Sequence, residues 1–487
     1  MGKIAAVALL LATAASAQMR ESVTVELIEV PVYVTAAAGA PLRGLGREAF
    51  SLRVDGKPRP IEYFEEVDLS RDAAKAPLLR QRRLYLFVFD LFFNRATDVA
   101  RAQHAAAQIV SRANPATDFF AVATYSARDG LQFVIPFLND AAAVRRAVAT
   151  LAPPGHDALG LATFVSERDY VDTDNVSHIV HGAGGGRHGS ELGSTLNGGL
   201  ANLEQLSEPR RYLAEHQLDG LGDAAVRLRA LEGQKHVVIF SNGFGGRIFQ
   251  GMPEEMPFHA RFRTDVSRIY RAFAGAGVFL DAIDTAGRQG FDESEPLRQL
   301  SAATGGTLVR GDNDLAGALA RLTAAQESYY LLGFTRRGDG EGTIDVRVAG
   351  LPRGARVSHR TGYGKPAAAT DIDPLQLADV VTNDIARNDL TLTLDAAPRD
   401  GGVELTVALR PSEAAAQRAT GLDAYLYVFD ANGATAFTKT LRLPADAAGI
   451  RERVPLPPGR YVVKVLVHAA GTASLGFARA SLEVTPR

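Results

Sequence analysis

The sequence predicts a mixed α/β and all-β protein. A doubly wound, mostly parallel α/β sheet occupies the middle of the chain, β-sandwich segments flank it, and a further small β-sandwich follows at the C-terminus. Three observations predict this. Short continuous apolar runs at Leu84–Phe93, Phe119–Tyr125, Val237–Phe240 and Val278–Ile283 alternate with helical patterns, as strands buried on both faces between crossover helices require. The helical signal is missing before residue 68 and stops after residue 328. From residue 389 onward only short strand-like runs separated by turn pairs remain.

The first element is residues 1–17. Lys3 precedes an apolar run from Ile4 to Ala12 and then Ala15-Ser16-Ala17, the pattern of a secretory signal peptide cut between Ala17 and Gln18. The run is shorter than the roughly 18 apolar residues of a membrane span, and no later stretch reaches that length. The expected location is therefore outside the cytoplasm: periplasm, cell surface or full secretion.

Residues 18–68 carry Val23, Val25, Leu27 and the run Val30–Val34, punctuated by Gly39, Gly44 and the Asp55-Gly56 turn pair. A β segment this small buries little core alone, so it is expected to pair with 328–364, where Tyr329–Phe334, Ile344–Val348 and Ala355–His359 also look like strands. Leu69–Leu79 reads as a linker. Arg80, Arg82 and Arg83 behind it read as a solvated basic flank.

The α/β domain is placed at 80–327. Val266, Ile269, Tyr270 and Phe273 recur at helical spacing, with Thr264 and Asp265 as cap and first turn and Gly275 near the stop. Leu315, Leu319 and Leu322 form a similar stripe behind Asp312, Asn313 and Asp314. Leu131–Phe137, close behind Asp129-Gly130, is expected to pair antiparallel with the second strand. Residues 365–388, opening on the Ala-rich stretch Pro366–Thr370, read as a second linker.

In 389–487 the strand candidates are Leu390–Leu394, Val403–Leu409, Ala424–Phe429, Phe437–Leu443, Tyr461–Val467 and Ser474–Val484. Asp400-Gly401, Asn432-Gly433 and Pro458-Gly459 supply the turns. Short strands at this spacing make a small sandwich of the immunoglobulin or fibronectin type.

Composition excludes several function classes. Of 487 residues, 53 are Lys or Arg and 55 Asp or Glu, so no basic surface tracks nucleic acid. With no Cys, disulfide staples, thiolate zinc sites, a Cys nucleophile and a lipid anchor on Cys are excluded. No Gly-x-Ser-x-Gly elbow, His-Glu-x-x-His pair or phosphate loop is present. The chain is not expected to be an enzyme.

In an open parallel sheet, ligands bind at the carboxyl ends of the strands. The residues there are Asp90-Leu91-Phe92-Phe93-Asn94, Ser241-Asn242-Gly243 and Asp281-Ala282-Ile283-Asp284, with a further polar loop at Gly193-Ser194-Thr195-Leu196. At this point the chain resembles the von Willebrand factor A family, and more closely the bacterial VWFA-related proteins described first from Acidobacteria. The resemblance spans residues 23–363. It is carried by Val30-Pro31-Val32-Tyr33-Val34, Phe50–Asp55, Tyr85–Asp90, Lys235–Gly243, Ala303-Thr304-Gly305-Gly306, Ser328–Phe334 and Arg360-Thr361-Gly362-Tyr363.

The resemblance implies a metal-ion-dependent adhesion site, in which an Asp-x-Ser-x-Ser loop, a later Thr and a later Asp hold Mg2+ or Mn2+ for a carboxylate of a protein partner. Residue by residue, Asp90 matches the first Asp, Asn94 the second Ser, Thr195 the Thr and Asn242 the second Asp. Phe92 stands where the first Ser belongs and offers no oxygen. The site is thus degenerate, short of one hydroxyl and one carboxylate, which weakens a hard-cation site. The bland alternative makes Asp90 and Asn242 hydrogen-bonding residues that cap loops, with Phe92 and Phe93 as aromatic contacts for a partner.

A second constellation, His156, His178, His181 and His188 with Asp169, Asp172 and Asp174, lies in the Gly-rich loop 155–193. Its chemistry suits zinc, but its spacing fits no metal motif, and a surface loop is the plainer reading. Three functions follow: an adhesion-type protein binding a partner at the sheet's carboxyl edge, a metal-dependent extracytoplasmic enzyme using loop 155–193, or a metal-free scaffold.

Overall fold

The computed structural model describes residues 25–70, 79–151, 214–243, 257–287, 294–338, 340–364, 371–399, 402–411 and 419–485. It is a mixed α/β structure of several sheets. The central sheet has six strands: β5 (Arg83–Asp90), β6 (Asp118–Ser126), β7 (Gly130–Leu138), β8 (Gln234–Ser241), β9 (Val278–Asp284) and β10 (Leu308–Val309). Their order is β10-β9-β8-β5-β6-β7. Every pairing is parallel except β6 with β7, the antiparallel hairpin expected behind Asp129-Gly130. Gly130 sits there at φ +66, a left-handed conformation that costs glycine nothing.

The continuous apolar runs are explained by burial on both faces. Along β5, Leu84, Leu86 and Val88 enter one core with α3 (214–228), α4 (Pro257–Ala276) and α5 (Glu295–Thr304). Tyr85, Phe87 and Phe89 alternate into the other, against α1 (Ala96–Arg112), α2 (Ala141–Ala149) and α6 (Leu315–Ala325). Helix α4 starts at Pro257, not at the Thr264-Asp265 cap expected from sequence. Proline suits a first helical turn, where its missing N–H is not needed, and Gly277, at φ +64, follows the helix end.

On either side of this sheet in sequence lie the strands β1 (Val25–Thr35), β2 (Phe50–Val54), β3 (Lys57–Arg59), β4 (Tyr63–Asp68), β11 (Ser328–Arg337), β12 (Gly342–Val348), β13 (Arg356–His359) and β14 (Gly362–Tyr363). They form two four-stranded sheets, β13-β1-β11-β4 and β14-β12-β2-β3, around Val30, Val32, Phe50, Leu52, Tyr330, Leu332 and Ile344. Tyr33 of β1 points the other way and packs with Tyr329, Leu331 and Phe279 of β9. Both faces of β1 are therefore covered.

The C-terminal strands are β15 (Leu390–Arg399), β16 (Gly402–Pro411), β17 (Gly421–Asp430), β18 (Thr435–Leu443), β19 (Gly449–Val454), β20 (Gly459–Ala470) and β21 (Leu475–Val484). Sheets β15-β16-β19 and β18-β17-β20-β21 share one core. The sequence reading missed β19, whose burial rests on Ile450 and Val454 alone.

Two expectations need correction. The span 365–388 contains α7 (Pro374–Asn383), capped by Asp373 and packed through Val380 and Val381 on Leu466 and Leu475. Arg82 and Arg83 are not a solvated flank. Arg82 pairs with Asp379 of α7 at 2.9 Å and Arg83 with Asp118 at 2.8 Å, all nearly buried. Asn383 donates to the Phe137 carbonyl and Lys464 to that of Val381, so α7 is fastened to the central sheet and to β20 at once.

Candidate functional site at the carboxyl edge of the central sheet

From β5 the chain moves to β6 on one side and returns to β8 on the other. At such a reversal the loops part, and open α/β sheets take ligands there. Asp90 closes β5, Ser241 closes β8 and Asp284 closes β9. The side chains just beyond these ends form one buried polar cluster.

Asp90 is fully buried. Its Oδ1 accepts the amides of Phe92 and Phe93 at 2.9 and 2.8 Å, and its Oδ2 accepts the Ser241 hydroxyl at 2.6 Å. Ser241 Oγ accepts the Gly243 amide in turn. Burial raises the Asp90 pKa above the ordinary carboxylate value, against the lowering effect of these bonds and of the nearby Gln217 side chain.

Asn94 bridges two strands. Its Nδ2 donates to the Phe240 carbonyl at 2.9 Å, and its Oδ1 accepts the Asn242 amide at 2.8 Å. Asn242 donates its Nδ2 to Asp98 Oδ2 at 3.1 Å. Thr285, fully buried directly after β9, places Oγ1 2.7 Å from Asn94 Oδ1 and 2.6 Å from Asn242 Oδ1. A hydroxyl carries one proton and donates to one of these two oxygens, and Asn94 Oδ1 already accepts the Asn242 amide. Neither amide can turn over to help, because each nitrogen is already committed to an acceptor.

Gln217 lies in α3, fully buried, with neither its Oε1 nor its Nε2 in a hydrogen bond. It is close enough to Asp90 to favour the ionised carboxylate without meeting hydrogen-bond geometry. An orphaned buried amide is costly and calls for a partner. At the rim, Phe92 and Phe93 are half-buried in a T-shaped pair with centroids 4.7 Å apart, and Phe93 also packs on the core beneath.

The structure thus brings Asp90, Asn94 and Asn242 into one cluster, with Phe92 and Phe93 beside it. Asp90 also caps its own loop. Thr195 lies outside the described residues, as do Ala17, Gln18 and the histidines and aspartates of loop 155–193. Among the described residues no group of three or more His, Asp or Glu is placed to hold a metal. The sequence reading missed Thr285, Asp98 and Gln217 as members. Thr285 follows a strand end, as Asn242 does, and Gln217 interrupts the apolar stripe Ala214, Leu218, Leu221, Ala225, Leu228. Chemically the cluster is a set of hard oxygens, Asn94 Oδ1, Asn242 Oδ1 and Thr285 Oγ1, with a buried carboxylate nearby. That donor set fits Mg2+ or Mn2+.

A second buried polar cluster lies toward the other end of β8. His236 Nδ1 is 3.1 Å from Asp281 Oδ2, and Tyr33 Oη is 3.2 Å from His236 Nε2. Gln326 donates to Asp281 Oδ2 and accepts from Tyr85 Oη, and Asp281 Oδ1 accepts the Thr307 amide. Gln326 Nε2 also lies 3.0 Å from His236 Nδ1. Burial holds the Tyr33 and Tyr85 hydroxyls protonated.

No protein-family model matches the chain, and no curated protein matches it. Among solved structures it is similar to an aerotolerance-related membrane protein of Bacteroides fragilis, at 9% identity over 50% of this chain and 98% of that one, with a TM-score of 0.25. It is also similar to proximal thread matrix protein 1 of the mussel byssus, at 13% identity, 56% and 50% coverage and a TM-score of 0.27. A manganese-loaded TRAP protein of Plasmodium vivax aligns at 10% identity over 62% of this chain and 98% of that one, with a TM-score of 0.25. At this level of similarity none of them assigns a function.

Proposed function

We propose that the protein is an extracytoplasmic, adhesion-type protein that recognises a protein partner at the carboxyl edge of a von Willebrand A-type domain, residues 80–327. In this reading 18–68 and 328–364 form a β-sandwich framing that domain, 1–17 is a signal peptide and 389–487 is a C-terminal immunoglobulin-like module. The supporting observation is the polar cluster of Asp90, Asn94 and Asn242 at the sheet's reversal point, with the aromatic pair Phe92–Phe93 on its rim. A buried polar anchor beside half-buried aromatic side chains is what a protein interface uses. Among the described residues no helix is long and apolar enough to cross a membrane.

The test is photo-crosslinking in the producing cell. A benzophenone side chain at position 92 should give one dominant protein adduct, reduced by chelator, while the same group at exposed Thr438 of β18 gives none. Equal adducts from both positions, or none from position 92, would contradict the reading.

A further inference from the structure

Helix α7 divides its apolar side chains between two cores. Leu375 joins the core that Leu86, Val237 and Leu280 share in the central domain, whereas Val380, Val381 and Ile385 pack with Leu466 and Leu475 of the C-terminal module. Its polar side chains divide in the same way. Asp379, 1% exposed, accepts both terminal nitrogens of the Arg82 guanidinium, at 3.1 and 2.9 Å, and the Asn383 side-chain amide at 2.9 Å. Arg82 is itself buried, its guanidinium 4.9 Å over the Phe119 ring. Asp384, just past the helix end, pairs instead with Lys464 of β20 and Arg479 of β21, each at 2.8 Å.

A charged pair this deeply buried is far costlier to break by losing one partner than it is useful when whole, because the remaining charge is left alone in the core. Arg82 directly precedes β5, while Asp379 arrives 297 residues later on the helix that the C-terminal module holds. If that module opens and takes α7 with it, Arg82 is stranded. We propose that α7 is a latch, with Arg82 and Asp379 as its bolt, that makes the central domain and the C-terminal module open as one cooperative unit. The bolt, the Asn383 bond to the Phe137 carbonyl and the Arg387–Glu232 pair all lie at the amino edge of the central sheet. The latch thus holds the C-terminal module toward the end of β5 opposite Asp90.

The test is hydrogen–deuterium exchange of the full chain with the C-terminal core weakened at a distance from the helix. Val465→Ala and the milder Ile450→Val each trim a side chain that faces the sandwich core, not α7. Val465→Ala is expected to speed the slowest-exchanging amides of β20 by about tenfold or more, and those of β5 and β8 by the same factor, because the opening is shared. Ile450→Val should do the same with a smaller factor. In the double variant Arg82→Met/Asp379→Leu, which removes the bolt without stranding a charge, the acceleration is expected to stay within the C-terminal strands. Acceleration confined to those strands with the bolt intact would overturn the latch. Acceleration that still reaches β5 in the double variant would overturn the role given to Arg82 and Asp379 and leave the apolar contacts of α7 as the coupling.

Discussion

Strand β8 carries a buried polar cluster toward each end, and the two differ in one respect. Around His236 most polar groups meet a partner: Asp281 lies within reach of His236, Gln326 and the Thr307 amide, and the hydroxyls of Tyr33 and Tyr85 find acceptors, although the Tyr329 hydroxyl beside Tyr33 does not. Around Asn242 the Thr285 hydroxyl lies between two amide oxygens, one of which already accepts the Asn242 amide, and Gln217 lies beside Asp90 without meeting hydrogen-bond geometry. The network around His236 ties β1 to the central sheet through Tyr33.

The largest expected effect tests the His236 end. Asp281→Ala strands three donors in the core and should cost about 3 kcal/mol or more in urea unfolding. A loss under about 1 kcal/mol would mean the network is not what holds the seam. Next to it, Lys235 has its pKa lowered to about 7, by burial first and then by Arg360 and Arg229. Its stem is partly exposed, while its Nζ is held at the Leu231 carbonyl. Between about pH 7 and the unfolded value of 10.5 the unfolded chain binds the extra proton, so stability rises with pH across that window. Lys235→Met should flatten that rise in denaturation midpoints measured against pH.

Smaller effects are expected at the Asn242 end. With chelator present, Asp90→Asn removes a buried charge and should stabilise the fold by about 1 kcal/mol, while abolishing any stabilisation by Mn2+. A clear destabilisation would show that the carboxylate is satisfied as it stands. Smallest of all, Phe92→Ala should shift stability by less than about 1 kcal/mol, and Phe93→Ala by about 1–2 kcal/mol because Phe93 also packs on the core. Equal costs would remove the distinction between a rim contact and a core contact.

What the sequence disclosed follows local pattern. Strands β5, β6, β8 and β9 were legible because burial on both faces leaves an unbroken apolar run. Asp90, Asn94 and Asn242 were legible because they sit on or just beyond the ends of β5 and β8. Thr285 obeys the same rule after β9, yet Asp281 and Asp284 in that strand drew the attention. Other features depend on partners far away in the chain. Arg82 looks like surface until Asp379, nearly 300 residues later, is seen against it. Helix α7 was hidden for the same reason: its apolar face is short, and the surfaces it covers come from β7 and β20. Gln217 is the reverse case, a polar residue on an apolar stripe whose meaning appears only once Asp90 is placed beside it.

The most direct test of the contrast between the two ends is hydrogen–deuterium exchange of the full chain with and without Mn2+. The expected result is slowed exchange in peptides covering 90–98, 241–243 and 285–287, with 33–36, 279–281 and 326–330 unchanged. No change at the carboxyl edge, or equal slowing around His236, would contradict the claim that only the carboxyl-edge cluster is a binding site.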